Sequence, residues 1–184
     1  TVMTWDRTID RIEEVLNALG KPLVSLYEGR EYTVPSEPVY VFVASFGGPA
    51  GLFLSKDARV ERVFAYSPVV DWRVPMPKEP VKGFTKMTKL LYGEAYRIDP
   101  KGEAKLLSGT FYNPASAPYE IDGSKVHIFH AKDDDIVSFD PVRAFAKQIG
   151  AQLTAYTKGG HGGTSHFMEK RIWKQIMTDL RSFS

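Results

Sequence analysis

Apolar positions change their spacing several times along this chain, and each change marks an element. Asp6 or Thr8 can cap a first helix; after them Ile9, Ile12, Val15, Leu16 and Leu19 recur at three- and four-residue steps. That spacing predicts one buried helical face, and Gly20 and Pro22 end it. Leu23–Leu26 suits a short strand, and Glu28–Pro38, polar and carrying Pro35 and Pro38, reads as a loop. From Val39 to Ala44 the residues are β-branched, aromatic or small, as in a strand buried on both faces. Ser45, Gly47 and Gly48 then make a turn, and a short apolar segment of helical character follows to Lys56. Val60–Tyr66, Lys125–Ala131 and Gln152–Tyr156 are further strands. Between the last two, Asp140 as cap and Pro141 at the first position open a helix. Val142, Phe145, Ala146 and Ile149 form its apolar face, and Gly150 closes it. A last helix runs from about Ser165, with Phe167, Ile172, Ile176 and Leu180 along one side.

Residues Trp72–Tyr119 break this rhythm. They carry Pro75, Pro77, Pro80, Pro100, Pro114 and Pro118 and many lysines, with one short helix predicted at Thr85–Tyr92. The stretch reads as an excursion over the sheet edge that shapes access, not as a second domain. Elsewhere strands alternate with helices, which requires crossover connections and a mostly parallel sheet covered on both faces. At 184 residues and 43% apolar, the chain is expected to form one domain over 1–184.

Charge narrows the partners. Lysine and arginine number 24 against 22 acidic residues, a net of +2, so nothing calls for nucleic acid, and Lys78–Lys89 reads as a solvated face. No apolar run approaches the roughly 18 residues of a membrane span, and no membrane partner is expected. No signal-peptide pattern opens the chain. Cysteine is absent, which removes disulfides, zinc–thiolate sites and cysteine nucleophiles and agrees with a cytoplasmic location.

In parallel sheets, sites lie beyond the carboxyl ends of the strands. Ser45, the run Asp133–Asp134–Asp135 and His161 each come just after a predicted strand. The three residue types are chemically complementary. A serine hydroxyl needs a base to become a nucleophile, imidazole titrates in the right range, and a carboxylate on its other nitrogen fixes the tautomer. Gly159, Gly160, Gly162 and Gly163 would let the His161 loop bend back toward Ser45. Any of the three aspartates can supply the carboxylate on this argument, and the run also reads as a solvated turn. A metal cage of oxygen ligands would need more carboxylates at defined spacing. His127 and His130 read as structural, His166 as a helix-start residue, and Trp72 as packing.

A strand–serine–helix corner resembles the nucleophile elbow of α/β-hydrolases, usually Gly-x-Ser-x-Gly; here it is Val43-Ala44-Ser45-Phe46-Gly47. Together with Ser67–Trp72, Phe129–Val137 and Gly159–Gly162, it resembles the C-terminal half of a catalytic domain of the prolyl oligopeptidase family. That family includes dipeptidyl and acylaminoacyl peptidases, and the likeness covers most of Val39–Ser184. Members usually carry His-Gly-x-x-Asp ahead of x-Val-Val-Pro, and laying this on His130 selects Asp134. The resemblance implies an α/β-hydrolase-like three-layer fold and hydrolysis of peptide or ester bonds through an acyl-enzyme. Ser45 would be the nucleophile, His161 the base, Asp134 its orienting carboxylate, and the Phe46 backbone one oxyanion donor. No cofactor or metal is implied, and the substrate would be a peptide or small molecule.

This chain departs from the pattern in three respects. Val43 stands where a small residue is usual, and Ala131 and Ser138 replace glycine and proline. The family also has strands ahead of the first helix read here, and with them a His-Gly-Gly loop that gives the second oxyanion donor. The chain is therefore expected to be an incomplete hydrolase, either a piece of a longer protein or one with its activity lost or reduced. A sheet edge left bare would invite another chain, so a homodimer through that edge is a further expectation. Two other readings use the same residues. One is a non-catalytic hydrolase-like binding module. The other takes Gly47–Gly51 as a flavin or dinucleotide fingerprint, although Phe46 stands at its first glycine position and the next strand ends in Ser67-Pro68, with no acidic residue placed for a ribose hydroxyl.

Overall fold

The computed structural model describes residues 5–76, 78, 82–93 and 100–181. Pro77 and Pro80 lie outside them, as do the side chains of Asp6, Thr8 and Ile9. The first described element is helix α1 (Trp5–Ala18), which takes in both expected caps. Its apolar stripe is only partly used: Leu16 is buried, whereas Val15 is 63% exposed. The next residues differ from expectation. Strand β1 (Pro22–Val24) pairs antiparallel with β2 (Glu31–Thr33), inside the segment read as loop. The hairpin forms a two-stranded sheet of its own.

The main sheet has four strands in sequential order: β3 (Val39–Ala44), β4 (Val60–Tyr66), β5 (Val126–Ala131) and β6 (Gln152–Tyr156). Every neighbouring pair is parallel. Helix α2 (Gly48–Leu54) connects β3 to β4, and α5 (Phe139–Ile149) connects β5 to β6. The two faces of the sheet bury different sets because side chains alternate along a strand. Val63, Ala65 and Ile128 join Leu52 of α2 and Val142, Phe145 and Ala146 of α5 in one core. Phe64, Tyr66 and Phe129 face the other way and pack on Phe167, Ile172 and Ile176. The last two belong to α6 (Lys170–Arg181), so the fold is a sheet between helical layers, as the alternating pattern predicts.

Some boundaries move. The helix expected from Ser165 starts at Lys170, after a 3-10 turn at Thr164–Met168 that carries His166. Ser138, not Asp140, is the residue that precedes α5, and Asp140 instead pairs with Arg143 one turn on, at 2.9 Å. The excursion contains the expected helix, α3 (Phe84–Tyr92), and a second one, α4 (Pro100–Leu107), that the spacing of apolar residues did not reveal. Met76 and Leu106 from this stretch are buried in the α2/α5 core, which ties it to the sheet.

Candidate active site

The parallel strands β3, β5 and β6 end at one rim, and the segment after each brings one side chain to it. Ala44 is still extended, and the chain turns at Ser45, where φ is +49°. Non-glycine residues rarely take positive φ, and such strain persists where the surroundings over-determine it. Here the Ser45 carbonyl accepts the Val69 N–H at 3.0 Å and also the N–H of Gly48. The 3-10 turn Ser45–Gly47 runs straight into α2. Two glycines of that helix explain why the corner closes. A Cβ on Gly51 would lie 2.5 Å from Val43 Cγ2, so the β-branched residue at the elbow fits because its neighbour has no side chain. A Cβ on Gly48 would lie 2.5 Å from Pro68 Cβ. The glycines that resemble a nucleotide fingerprint thus have their space taken by Val43 and Pro68.

The Phe46 ring packs against the α2/α5 core and meets Trp72, ring centres 4.6 Å apart. Trp72 is itself buried and donates from Nε1 to the Tyr112 carbonyl at 2.8 Å. Its backbone N–H donates to Asn113 Oδ1 at 2.9 Å, so Trp72 is packing that braces the turn.

His161 enters from the loop after β6. Asp133 Oδ1 accepts the N–H groups of Gly159 at 2.9 Å and Gly160 at 2.8 Å, and Gly160 has φ +61°. Gly162 lies flat on Tyr66, where a Cβ would come 2.4 Å from Cε1. Only a chain without side chains at these points folds back so closely. The result is a continuous line of contacts. His161 Nε2 lies 2.8 Å from Ser45 Oγ. His161 Nδ1 lies 3.0 Å from Asp134 Oδ2 and 3.1 Å from Oδ1. Nδ1 faces an acceptor-only carboxylate, so it carries the proton, which leaves Nε2 as the acceptor for the Ser45 hydroxyl.

The Asp134 side chain is fully buried, and Oδ1 also accepts the N–H groups of Ile136 at 3.0 Å and Val137 at 2.9 Å. Burial raises the carboxyl, but the donors of His130, His161 and the Ile136 backbone outweigh it and hold it well below the usual carboxylate range. Asp134 is thus a charged acceptor at neutral pH. The run of aspartates does not converge: Asp133 holds the glycine loop, Asp134 faces His161, and Asp135 pairs with Lys78. The role of Asp133 went unforeseen because its partners are backbone groups far along the chain.

No family model and no curated protein matches this sequence. Solved structures do. Dipeptidyl peptidase 4 of Porphyromonas gingivalis matches over 100% of this chain and 23% of its own, with TM-score 0.57 and 16% identity. The uncomplexed acylaminoacyl peptidase of Pyrococcus horikoshii matches over 94% of this chain and 26% of its own, with TM-score 0.51 and 15% identity. A monoacylglycerol lipase of Paleococcus ferrophilus matches over 98% and 75%, with TM-score 0.57 and 12% identity. This chain therefore spans about a quarter of the length of those peptidases. Identities this low speak for the fold and not for the chemistry. No described helix is long and apolar enough to cross a membrane. With a four-stranded parallel sheet between helices and these structural neighbours, the fold of this chain is that of the α/β-hydrolases.

Proposed function

We propose that this protein is a serine hydrolase that cleaves peptide or ester bonds through an acyl-enzyme. The observation that carries the reading is the line Ser45 Oγ–His161 Nε2–His161 Nδ1–Asp134, with contacts of 2.8 Å and 3.0 Å. Both fall in the range a nucleophile and its base require. Ser45 Oγ attacks the substrate carbonyl while its proton passes to His161 Nε2. Asp134 stabilises the imidazolium that forms. Collapse of the tetrahedral adduct expels the amine or alcohol, which takes the proton from Nε2. Water then attacks the acyl-enzyme, again giving its proton to Nε2, and the acid product leaves with Ser45 restored. The Phe46 N–H, next after the nucleophile, supplies one oxyanion donor. Losing one such donor costs roughly 10²–10³ in turnover. The fold adds support at a coarser level, since the neighbours include two peptidases and a lipase.

The test is covalent labelling with a fluorophosphonate. The wild-type protein is expected to be labelled and Ser45→Ala is expected to lose the label. Labelling that survives the substitution would remove Ser45 from the mechanism. A folded wild-type sample that takes no label would favour the binding-module reading.

A further inference from the structure

A second imidazole reaches the Asp134 carboxylate. His130 lies one residue before the end of β5, on the α5 side of the sheet, and is completely buried. Its Nε2 is 2.9 Å from the Val137 carbonyl oxygen, which can only accept, so the proton sits on Nε2. The same nitrogen lies 3.4 Å from Asp134 Oδ2. The Val137 peptide is therefore held from both ends. Its carbonyl accepts from His130, and its N–H donates to Asp134 Oδ1 at 2.9 Å. Nδ1 is buried without a hydrogen-bond partner, and the ring stands edge-on to Phe139 with centres 5.7 Å apart. An unpartnered buried nitrogen is costly, and a fold that needed only bulk here would fill the space with an apolar side chain.

We propose that His130 is a positioning residue for the Ser45–His161–Asp134 array. Through the Val137 peptide and the direct contact to Oδ2, it fixes the loop Asp134–Val137 so that the carboxylate faces His161. This extends the hydrolase reading and rests on it for its functional consequence. The geometric claim, that His130 sets the environment of His161, can be read without turnover. Among the described residues, charged groups around the site include Lys132 and Asp133 after β5, Asp135 paired with Lys78, and the Asp140–Arg143 pair on α5.

The experiment compares His130→Phe, which keeps the ring and loses the donor, with His130→Gln, which keeps a donor. The first readout is the titration of the His161 imidazole followed by NMR. In His130→Phe the midpoint is expected to fall by about half a unit, because a loosened carboxylate stabilises the imidazolium less well, and His130→Gln is expected to recover most of it. The second readout is hydrolysis of an activated ester. With losses of the size seen for supporting contacts, kcat in His130→Phe is expected to drop about tenfold with KM little changed, and His130→Gln to regain much of it. Folding of each variant is checked by circular dichroism, and if His130→Phe does not fold, His130→Leu takes its place as the variant without a donor. A His161 midpoint that stays put in a folded variant without a donor overturns the proposal. A shifted midpoint in a protein that neither turns over nor labels supports His130 as the positioning group and sinks the hydrolase reading instead.

Discussion

At the scale of single residues, the elbow illustrates how a departure from a motif is accommodated. Val43 occupies a place where a small residue is usual, and Gly51 gives up its side chain to it. In a helix interior, glycine to alanine ordinarily gains about 1 kcal/mol. Here the added methyl group would meet Val43 at 2.5 Å, and overpacking of this kind costs about 1–3 kcal/mol. Gly51→Ala is therefore expected to lower stability in urea titrations. In Val43→Ala the same Gly51→Ala change is expected to be neutral or favourable. If the two substitutions add independently, the packing explanation fails. Ser45 and His161 were legible in the sequence because each follows a strand with glycines beside it, and such punctuation is local. Asp133 was not legible in its role, since its acceptor oxygen serves backbone groups 26 and 27 residues away that no side-chain pattern announces.

At the scale of elements, α6 is held to the sheet by a polar clasp inside an aromatic layer. His127 on β5 bonds Asp179 through Nδ1, and its Nε2 lies 2.7 Å from Thr154 Oγ1 on β6. Thr154 Oγ1 in turn donates to Gln175 at 3.2 Å. Burial pushes the His127 pKa down, Asp179 opposes that, and Arg62 adds to it. The net shift is below the ordinary histidine value of 6.5, so the unfolded chain binds the extra proton first. Stability from this group is present above that value and drains away as the pH falls toward the folded pKa. The urea midpoint is thus expected to decline from pH 7 to pH 5, and His127→Gln is expected to flatten that decline. Equal slopes in the two proteins would place the acid sensitivity elsewhere. The histidine itself was read as structural from the alternation along β5, but its partners on α6 were not legible, because a helical stripe says which face is buried and not what it meets. The same limit explains Val15, whose place on the α1 stripe was plain and whose exposure was not. Helix α4 escaped notice for the opposite reason: among its described side chains Leu106 is the one buried apolar residue, too few to make a period.

At the scale of the whole molecule, the alternation of strands and helices made the parallel sheet legible, and with it the rim where Ser45, Asp134 and His161 meet. The consequence of strand order is less visible in a sequence. With the order β3-β4-β5-β6, the strand that delivers Ser45 is also an edge of the sheet. Tyr40 and Phe42 on it are 40% and 39% exposed, and Val39–Ala44 contains no charge and no proline. Natural edges are usually blunted by such residues, and one that is not offers its backbone groups to another strand. Pairing between the β3 strands of two copies, proposed here, would extend the sheet across the contact and cover both aromatic rings. Phe42 also packs on Phe64 and Phe167, at 5.1 Å and 5.3 Å, so changing it would disturb the core. Tyr40 has no aromatic partner of that kind among the described contacts, which makes it the better probe. Sedimentation over a concentration series is expected to show a dimer in the wild-type protein and a shift toward monomer in Tyr40→Lys, with the thermal midpoint of the dilute protein little changed. A wild-type protein that stays monomeric at every concentration would mean that this edge, though unprotected in sequence, is not where copies of the chain meet.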